Sequence, residues 1–254
     1  MTACMINGGE NGAFSNHLPW WHGKDAEEIY RRCVILHNEL IPYLFSTVAD
    51  AHREGGSLLR GVSFEEESHL LGDSVFTKAI TSDSDAVKFR LPKGSDWIDF
   101  WTGKRLPGGS VVDESFPLDR FPLYFKAGSI VPLRIEPKNS VFGEAWMAGR
   151  RVLLIHPNGT GVTKAVLHLP IGDGVKYETV SILFDEDAGT IRIKGKRAAK
   201  YVLLVRNASE IDGVAGATGV RRVSKDGTLA AEAEGASLEL RLKLKKNGER
   251  SNQP

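Results

Sequence analysis

The chain is short of the residues that announce specialised chemistry. Two cysteines, Cys4 and Cys33, in 254 residues exclude a disulfide framework and a thiolate metal cluster. No apolar run approaches the roughly 18 residues that cross a bilayer, so no segment reads as a membrane span. Charge of one sign is missing too. The 33 basic and 32 acidic side chains leave a formal net charge of +1, and no broad field for nucleic acid or an anionic membrane. Gly8, Gly9 and Gly12 lack both a preceding strand and the spacing of a phosphate-binding loop. The opening MTACMINGGENG has no basic stretch followed by an apolar core, as a signal peptide would.

What is present suits a globular, strand-rich protein, with 41% hydrophobic residues to fill a core. Residues 1–24 read as a loop rich in glycine, asparagine and tryptophan. Asp25 is a suitable N-cap, with Glu28 three residues on as in a capping box. Ile29, Cys33, Leu36, Leu40, Leu44 and Val48 then mark one apolar helix face. Pro42 falls inside that pattern and should kink or split the helix; Gly55-Gly56 ends it.

Beyond Gly56 the periodicity turns from helical to alternating. Strands are expected at residues 57–60, 74–80, 86–91, 97–101, 123–126 and 129–131. A second series follows in RVLLIHP, KAVLHLP, TVSILFD, TIRIKG, KYVLLVR, GVRRVSK and SLELRLKLK. Short strands between glycine and proline turns point to antiparallel β-sandwiches rather than a βαβ fold. Residues 136–140, EPKNS, are the best boundary between the two series.

Two blocks carry a family resemblance. The first is PLDRFPLYFKAGSIVPL, residues 117–133, together with WIDFWTGK, residues 97–104. The second is ENGAFSNHLPWW followed by EEIYRRCVILHNELIPYLFS, in which Tyr30-Arg31, His37, Leu40, Pro42, Tyr43 and Leu44 fit a family pattern. Both resemble the C-terminal half of family 31 glycoside hydrolases, the α-glucosidase and α-xylosidase group.

The resemblance implies a mainly β chain with one N-terminal helical segment. Residues 1–55 would be the last loop and helix of a catalytic (β/α)8 barrel, 56–136 a proximal β-sandwich and 137–254 a distal one. It implies a parent enzyme that hydrolyses α-glycosides or oligosaccharides, and a sequence that starts inside that longer enzyme. No cofactor or metal is implied, because glycoside hydrolysis by two carboxyls needs none; the balanced charge and short apolar runs already point to no nucleic acid and no membrane.

The resemblance places no catalytic residue in this chain. A retaining glycosidase uses two carboxyls about 5 Å apart. In this family both are aspartates on earlier barrel strands, and their tryptophan-x-aspartate-methionine motif does not occur here. Asp73, in LLGDSVF, resembles a structural position at a strand entry. For substrate contacts, the resemblance points to His17 or Asn11, with Trp20 as an aromatic wall. Read from the residues alone, His17 is a loop histidine beside Trp20 and Trp21, and Trp20 is a packing anchor. His37, Tyr30 and Tyr43 read as packing residues of the helix. Trp97, Asp99 and Trp101 alternate along a strand and should share one buried face.

Overall fold

The computed structural model describes residues 19–63, 67–82, 84–171, 176–206, 211–223 and 228–244. After a single 3-10 turn at Pro19–Trp21 come helices α1 (Lys24–Glu39) and α2 (Ile41–Glu54). They divide at Leu40, two residues before the proline that the sequence marks as the break. Pro42 sits in the first turn of α2, where its missing N–H costs no helical bond. The expected aspartate cap does not form. Gly23 is the N-cap, its carbonyl takes the Glu27 N–H at 3.2 Å, and Asp25 lies inside the first turn, where its charge suits the helix dipole.

The first set of strands is β1 (Leu59–Ser63), β2 (Ser68–Leu71), β3 (Val75–Lys78), β4 (Ala86–Arg90), β5 (Trp97–Asp99), β6 (Arg105–Leu106), β7 (Val111–Ser115) and β8 (Leu123–Lys126). Six of these form an antiparallel sheet in the order β1-β2-β3-β8-β5-β6, and β4 pairs with β7 as a separate ribbon. The ribbon lies against one face of the sheet, where Phe89, Val112 and Phe116 meet Phe76, Trp97 and Tyr124 in a buried aromatic cluster. Three of these strands, β2, β6 and β7, were not expected from the sequence. Their short, polar stretches such as VVDES bury few side chains and leave little alternation to read.

The second set is β9 (Ser129–Leu133), β10 (Arg151–His156), β11 (Val162–Ile171), β12 (Lys176–Asp185), β13 (Thr190–Val205), β14 (Ile211–Ala215), β15 (Gly219–Val223) and β16 (Thr228–Leu244). Its main path runs β11-β12-β13-β10-β9, with β16 pairing β13, β14 and β15. TIRIKG and KYVLLVR, expected as two strands, are one sixteen-residue strand whose ladder shifts register between Lys194 and Ala199. The expectation of purely antiparallel sheets is corrected at one ladder, since β10 runs parallel to β13.

That parallel pair has a physical reason. Val152 and Leu154 of β10, with Val202 and Leu204 of β13, face the first sheet and the helices. Leu153, Ile155, Tyr201, Leu203 and Val205 face the interior of the second sheet. Strands buried on both faces read as unbroken apolar runs, as VLLI and YVLLV do.

Residues 117–133 bridge the two sheets. β8 sits inside the first sheet between β3 and β5, and β9 forms an edge of the second beside β10. Ala127-Gly128 carries the chain between them, with Gly128 at φ 71°, a conformation open to glycine. Pro132 lies on β9, the edge strand, where a missing N–H is tolerated.

Candidate functional site

At the start of the described chain, the Pro19–Trp21 turn projects Trp20 and Trp21 into solvent, each more than half exposed. The turn closes through the His22 N–H, which donates to the Pro19 carbonyl at 3.1 Å. Trp20 is therefore an open aromatic face at the N-terminal end of α1 rather than a packed anchor. His17 and Asn11 lie outside the described residues. His37 is half-buried on α1, and desolvation holds its imidazole below the ordinary range.

Behind this turn the two helices are fastened to the β layers by buried polar side chains. Glu39, the last residue of α1, is fully buried. One carboxylate oxygen accepts the Glu136 N–H at 3.0 Å and the Ser140 hydroxyl; the other accepts the N–H groups of Val141 at 2.9 Å and Phe142 at 3.1 Å. The Arg134 N–H donates to the Glu39 backbone carbonyl at 2.9 Å. A carboxylate at a helix C-terminus opposes the dipole, and these donors compensate it.

Tyr43 on α2 is buried and ties the helix to the first sheet. Its hydroxyl donates to the Leu71 carbonyl at 2.7 Å and accepts the Ser74 N–H at 3.0 Å. Burial pushes its phenol above the ordinary range. Gly72 turns beneath this ring with φ 57°, and a Cβ there would meet the Tyr43 hydroxyl at 2.5 Å.

The same helix reaches the second sheet through His168 of β11, which is fully buried. The His168 N–H donates to the Ser46 hydroxyl at 2.9 Å. Its Nε2 lies 2.9 Å from Asp50 Oδ1 and 3.0 Å from the Arg53 guanidinium. α2 thereby covers part of an otherwise open edge strand. Between α2, the Gly72–Ser74 turn and β11 lies a cleft of about 430 Å³ whose walls carry Asp50, Arg60, Asp73, Lys126 and Lys164. Asp73 pairs with Arg60 at the surface, in keeping with a structural role.

Further along, the expected shared face of Trp97, Asp99 and Trp101 is corrected. β5 ends at Asp99, and the chain turns. Asp99 Oδ1 accepts the N–H groups of Trp101 and Thr102, each at 2.7 Å, so the carboxylate caps the turn that aims Trp101 away. Trp97 packs in the aromatic cluster with the β4–β7 ribbon, whereas Trp101 joins the layer beneath the helices. Its indole donates to the Phe121 carbonyl at 2.7 Å, and Arg32 of α1 lies 5.1 Å over its ring. Arg32 also reaches Asp119 at 3.5 Å, which ties α1 to the 117–133 segment.

Two more buried ionisable side chains lie in the second sheet, Glu178 and His156. Glu178 accepts from Arg151 at 2.6 Å and from the N–H groups of Lys196 and Arg197 at 2.9 and 3.1 Å. Burial works against its ionisation, yet those donors hold its carboxyl below the ordinary range. His156 stacks on Phe125 at 4.8 Å, and burial, with Arg206 nearby, depresses its pKa to about 3. These anchors, Glu39, His168 and Glu178, were not singled out from the sequence. Each stands in a run of ordinary helix or strand residues, and its partners lie 11 to 122 positions away. Among the described residues, no cluster of three histidine, cysteine or acidic side chains could hold a metal ion.

The described residues thus form a β-rich unit with a helical hairpin clamped across two sheets. Residues 60–131 match the model of the glycosyl hydrolase family 31 C-terminal domain. The α-xylosidase of Saccharolobus solfataricus is 26% identical over 197 residues, covering 70% of this chain and 26% of that protein. The α-glucosidase 2 of Bacillus thermoamyloliquefaciens is 30% identical over 176 residues, covering 65% of this chain and 22% of that protein. The family 31 dextranase of Flavobacterium johnsoniae superposes with a TM-score of 0.73 at 17% identity, over 94% of this chain and 34% of that one, and so shares the fold. The chain belongs to glycoside hydrolase family 31 and corresponds to the C-terminal portion of its members. It spans about a quarter of the length of the curated relatives it matches.

Proposed function

We propose that this chain is the supporting C-terminal part of a retaining glycosidase acting on α-linked glycosides, and that it has no hydrolase activity by itself. The observation that carries the reading is the match of residues 60–131 to the family's C-terminal domain, in a chain that spans only about a quarter of its relatives. In this reading the two catalytic aspartates belong to barrel strands outside the sequence. Residues 1–55 complete the barrel, 56–136 form the proximal β-sandwich and 137–254 the distal one. The role of the β layers is mechanical: they hold α1 and α2 as one rigid piece through Glu39, Tyr43 and His168. Preorganised positioning of substrate-facing groups is what such a support contributes to catalysis.

At the N-terminal end, His17 or Asn11 would hydrogen-bond a sugar hydroxyl, and Trp20 would offer its ring as a wall. The exposure of Trp20 suits that role, since an indole face stacks on the apolar face of a sugar. The test is direct. The purified 254-residue chain is assayed with aryl α-glucosides and α-xylosides at high enzyme concentration. No release of the aryl group above background is expected, and measurable turnover abolished by no contaminant control would overturn the reading.

A second reading, a non-catalytic glycan-binding module, needs an exposed aromatic platform on the β sheets. Trp97 is buried, and Trp101 and Trp146 are half-buried beneath arginine guanidinium groups. These positions favour the supporting role over the binding one.

A further inference from the structure

The turn that follows β10 carries a chemically reactive pair. Of the four Asn-Gly pairs in the sequence, Asn158-Gly159 alone falls among the described residues. Such a pair can lose the asparagine amide. The glycine nitrogen, once it has given its proton to solvent base, attacks the asparagine Cγ. A five-membered succinimide forms, the Cγ–Nδ2 bond breaks and ammonia leaves; water then opens the ring to aspartate or isoaspartate. A side chain on the following residue hinders the attack, and glycine has none. Asn158 is exposed, and its amide reaches the Thr160 carbonyl at 3.4 Å, a long contact that holds it loosely. Nothing lies within 4 Å of the place a Cβ at position 159 would take.

The attacking nitrogen, by contrast, is held. Glu186, buried in the turn between β12 and β13, accepts the Gly159 N–H at 2.7 Å through one oxygen and the Asn158 N–H at 2.8 Å through the other. At the far side of the same peptide unit, the Arg105 guanidinium donates to the Asn158 carbonyl at 2.6 Å. Turning that peptide toward Cγ therefore breaks a charge-assisted bond at each end. Removing the proton is opposed as well, because the anion would form 2.7 Å from a buried carboxylate. A carboxylate is itself far too weak a base to take an amide proton.

We infer that Asn158 is a latent deamidation site, reactive by its sequence and kept intact by the grip of Glu186 on the Gly159 N–H. Its conversion has a structural consequence. A new carboxylate appears beside Glu186, and the isoaspartate form adds a backbone methylene, so the two N–H groups no longer match the two oxygens. The carbonyls of Pro157 and Asn158 also take the Arg105 bonds that join the first sheet to the second. Modification here loosens a joint between the sheets.

Peptide mapping by mass spectrometry, after incubation of the purified chain at mildly alkaline pH, reads aspartate and isoaspartate at position 158. The folded chain is expected to convert at least roughly tenfold more slowly than the same chain unfolded in guanidinium chloride, a factor of about 1.4 kcal/mol in activation free energy. Glu186→Gln keeps the shape of the side chain and removes its charge, and should raise the folded-state rate by about the same factor. Amide hydrogen exchange separates a freed turn from an unfolded chain: in Glu186→Gln the Gly159 amide exchanges faster while the β10 amides stay protected. Equal rates in the folded and unfolded parent would overturn the inference. So would a Glu186→Gln chain with β10 still protected whose Asn158 converts no faster than that of the parent.

Discussion

Replacing Glu39 tests the claim that the helical hairpin is part of the β core. Its carboxylate is fully buried and accepts four hydrogen bonds, three from backbone N–H groups and one from Ser140. Glu39→Ala leaves those donors facing an empty site. A buried donor left without a partner costs about 1–3 kcal/mol. The Phe142 N–H is buried and incurs that penalty in full, while the sites at Glu136 and Val141 are part-buried and admit water. Adding one full penalty to partial ones gives a loss of about 3–5 kcal/mol. Glu39→Gln keeps one acceptor oxygen but turns an NH2 toward two N–H donors, so about half that loss follows. Ser140→Ala removes a single bond and should lose about 1 kcal/mol. Urea denaturation followed by far-ultraviolet circular dichroism separates these values. For a domain of this size the alanine variant should melt about 10 °C lower. The order Ala, then Gln, then Ser140→Ala is the signature. A Glu39→Ala stability within 1 kcal/mol of the parent would refute the reasoning and show that the 134–142 loop reorganises around solvent.

Two further tests concern acid and the Gly72 turn. His156 is neutral in the fold, with its pKa depressed to about 3, against about 6.5 in an unfolded chain. The unfolded chain binds a proton below pH 6.5 that the fold refuses. Stability contributed at higher pH is therefore lost as pH falls from 6.5 toward 3, by up to about 1.4 kcal/mol per unit and about 2 kcal/mol at pH 5. Measured unfolding free energies from pH 7 to 5 should lose most of that slope in His156→Phe, which can still stack on Phe125; an unchanged slope would place the acid sensitivity elsewhere. Gly72→Ala should destabilise by about 2–4 kcal/mol, because it combines a positive φ with a Cβ driven into the Tyr43 hydroxyl. Tyr43→Phe in the same background should recover part of the loss by removing that hydroxyl, and no recovery would mean that backbone strain and the Thr47 side chain, which the Cβ would meet at 2.8 Å, are responsible.

The helices and the apolar strands were legible because their signals are local. The break near Pro42, the stop at Gly55 and the strands Leu123–Lys126 and Ser129–Leu133 follow from dihedral limits and side-chain alternation that neighbouring residues impose. The family was legible too, since its motifs are contiguous. The aspartate cap failed because Gly23, two residues earlier, already starts the helix from a positive φ of 98°, a conformation open to glycine. The shared face of Trp97 and Trp101 failed because Asp99 found the N–H groups of its own turn, a choice the alternating pattern cannot register.

By itself, then, the amino-acid sequence determined the two helices and their break, the apolar strands, and the family whose motifs it carries. Tertiary structure alone decided that β8 and β9, adjacent in sequence, enter different sheets, and that β10 and β13 run parallel at the centre of one of them. It also decided which polar residues clamp the helices: Glu39 meets a loop about a hundred residues away, and His168 meets a helix more than a hundred residues before it. The physical reason is range. Dihedral preferences and periodicity act over a few residues, whereas a buried carboxylate or imidazole is stable only beside donors and acceptors that folding alone brings to it.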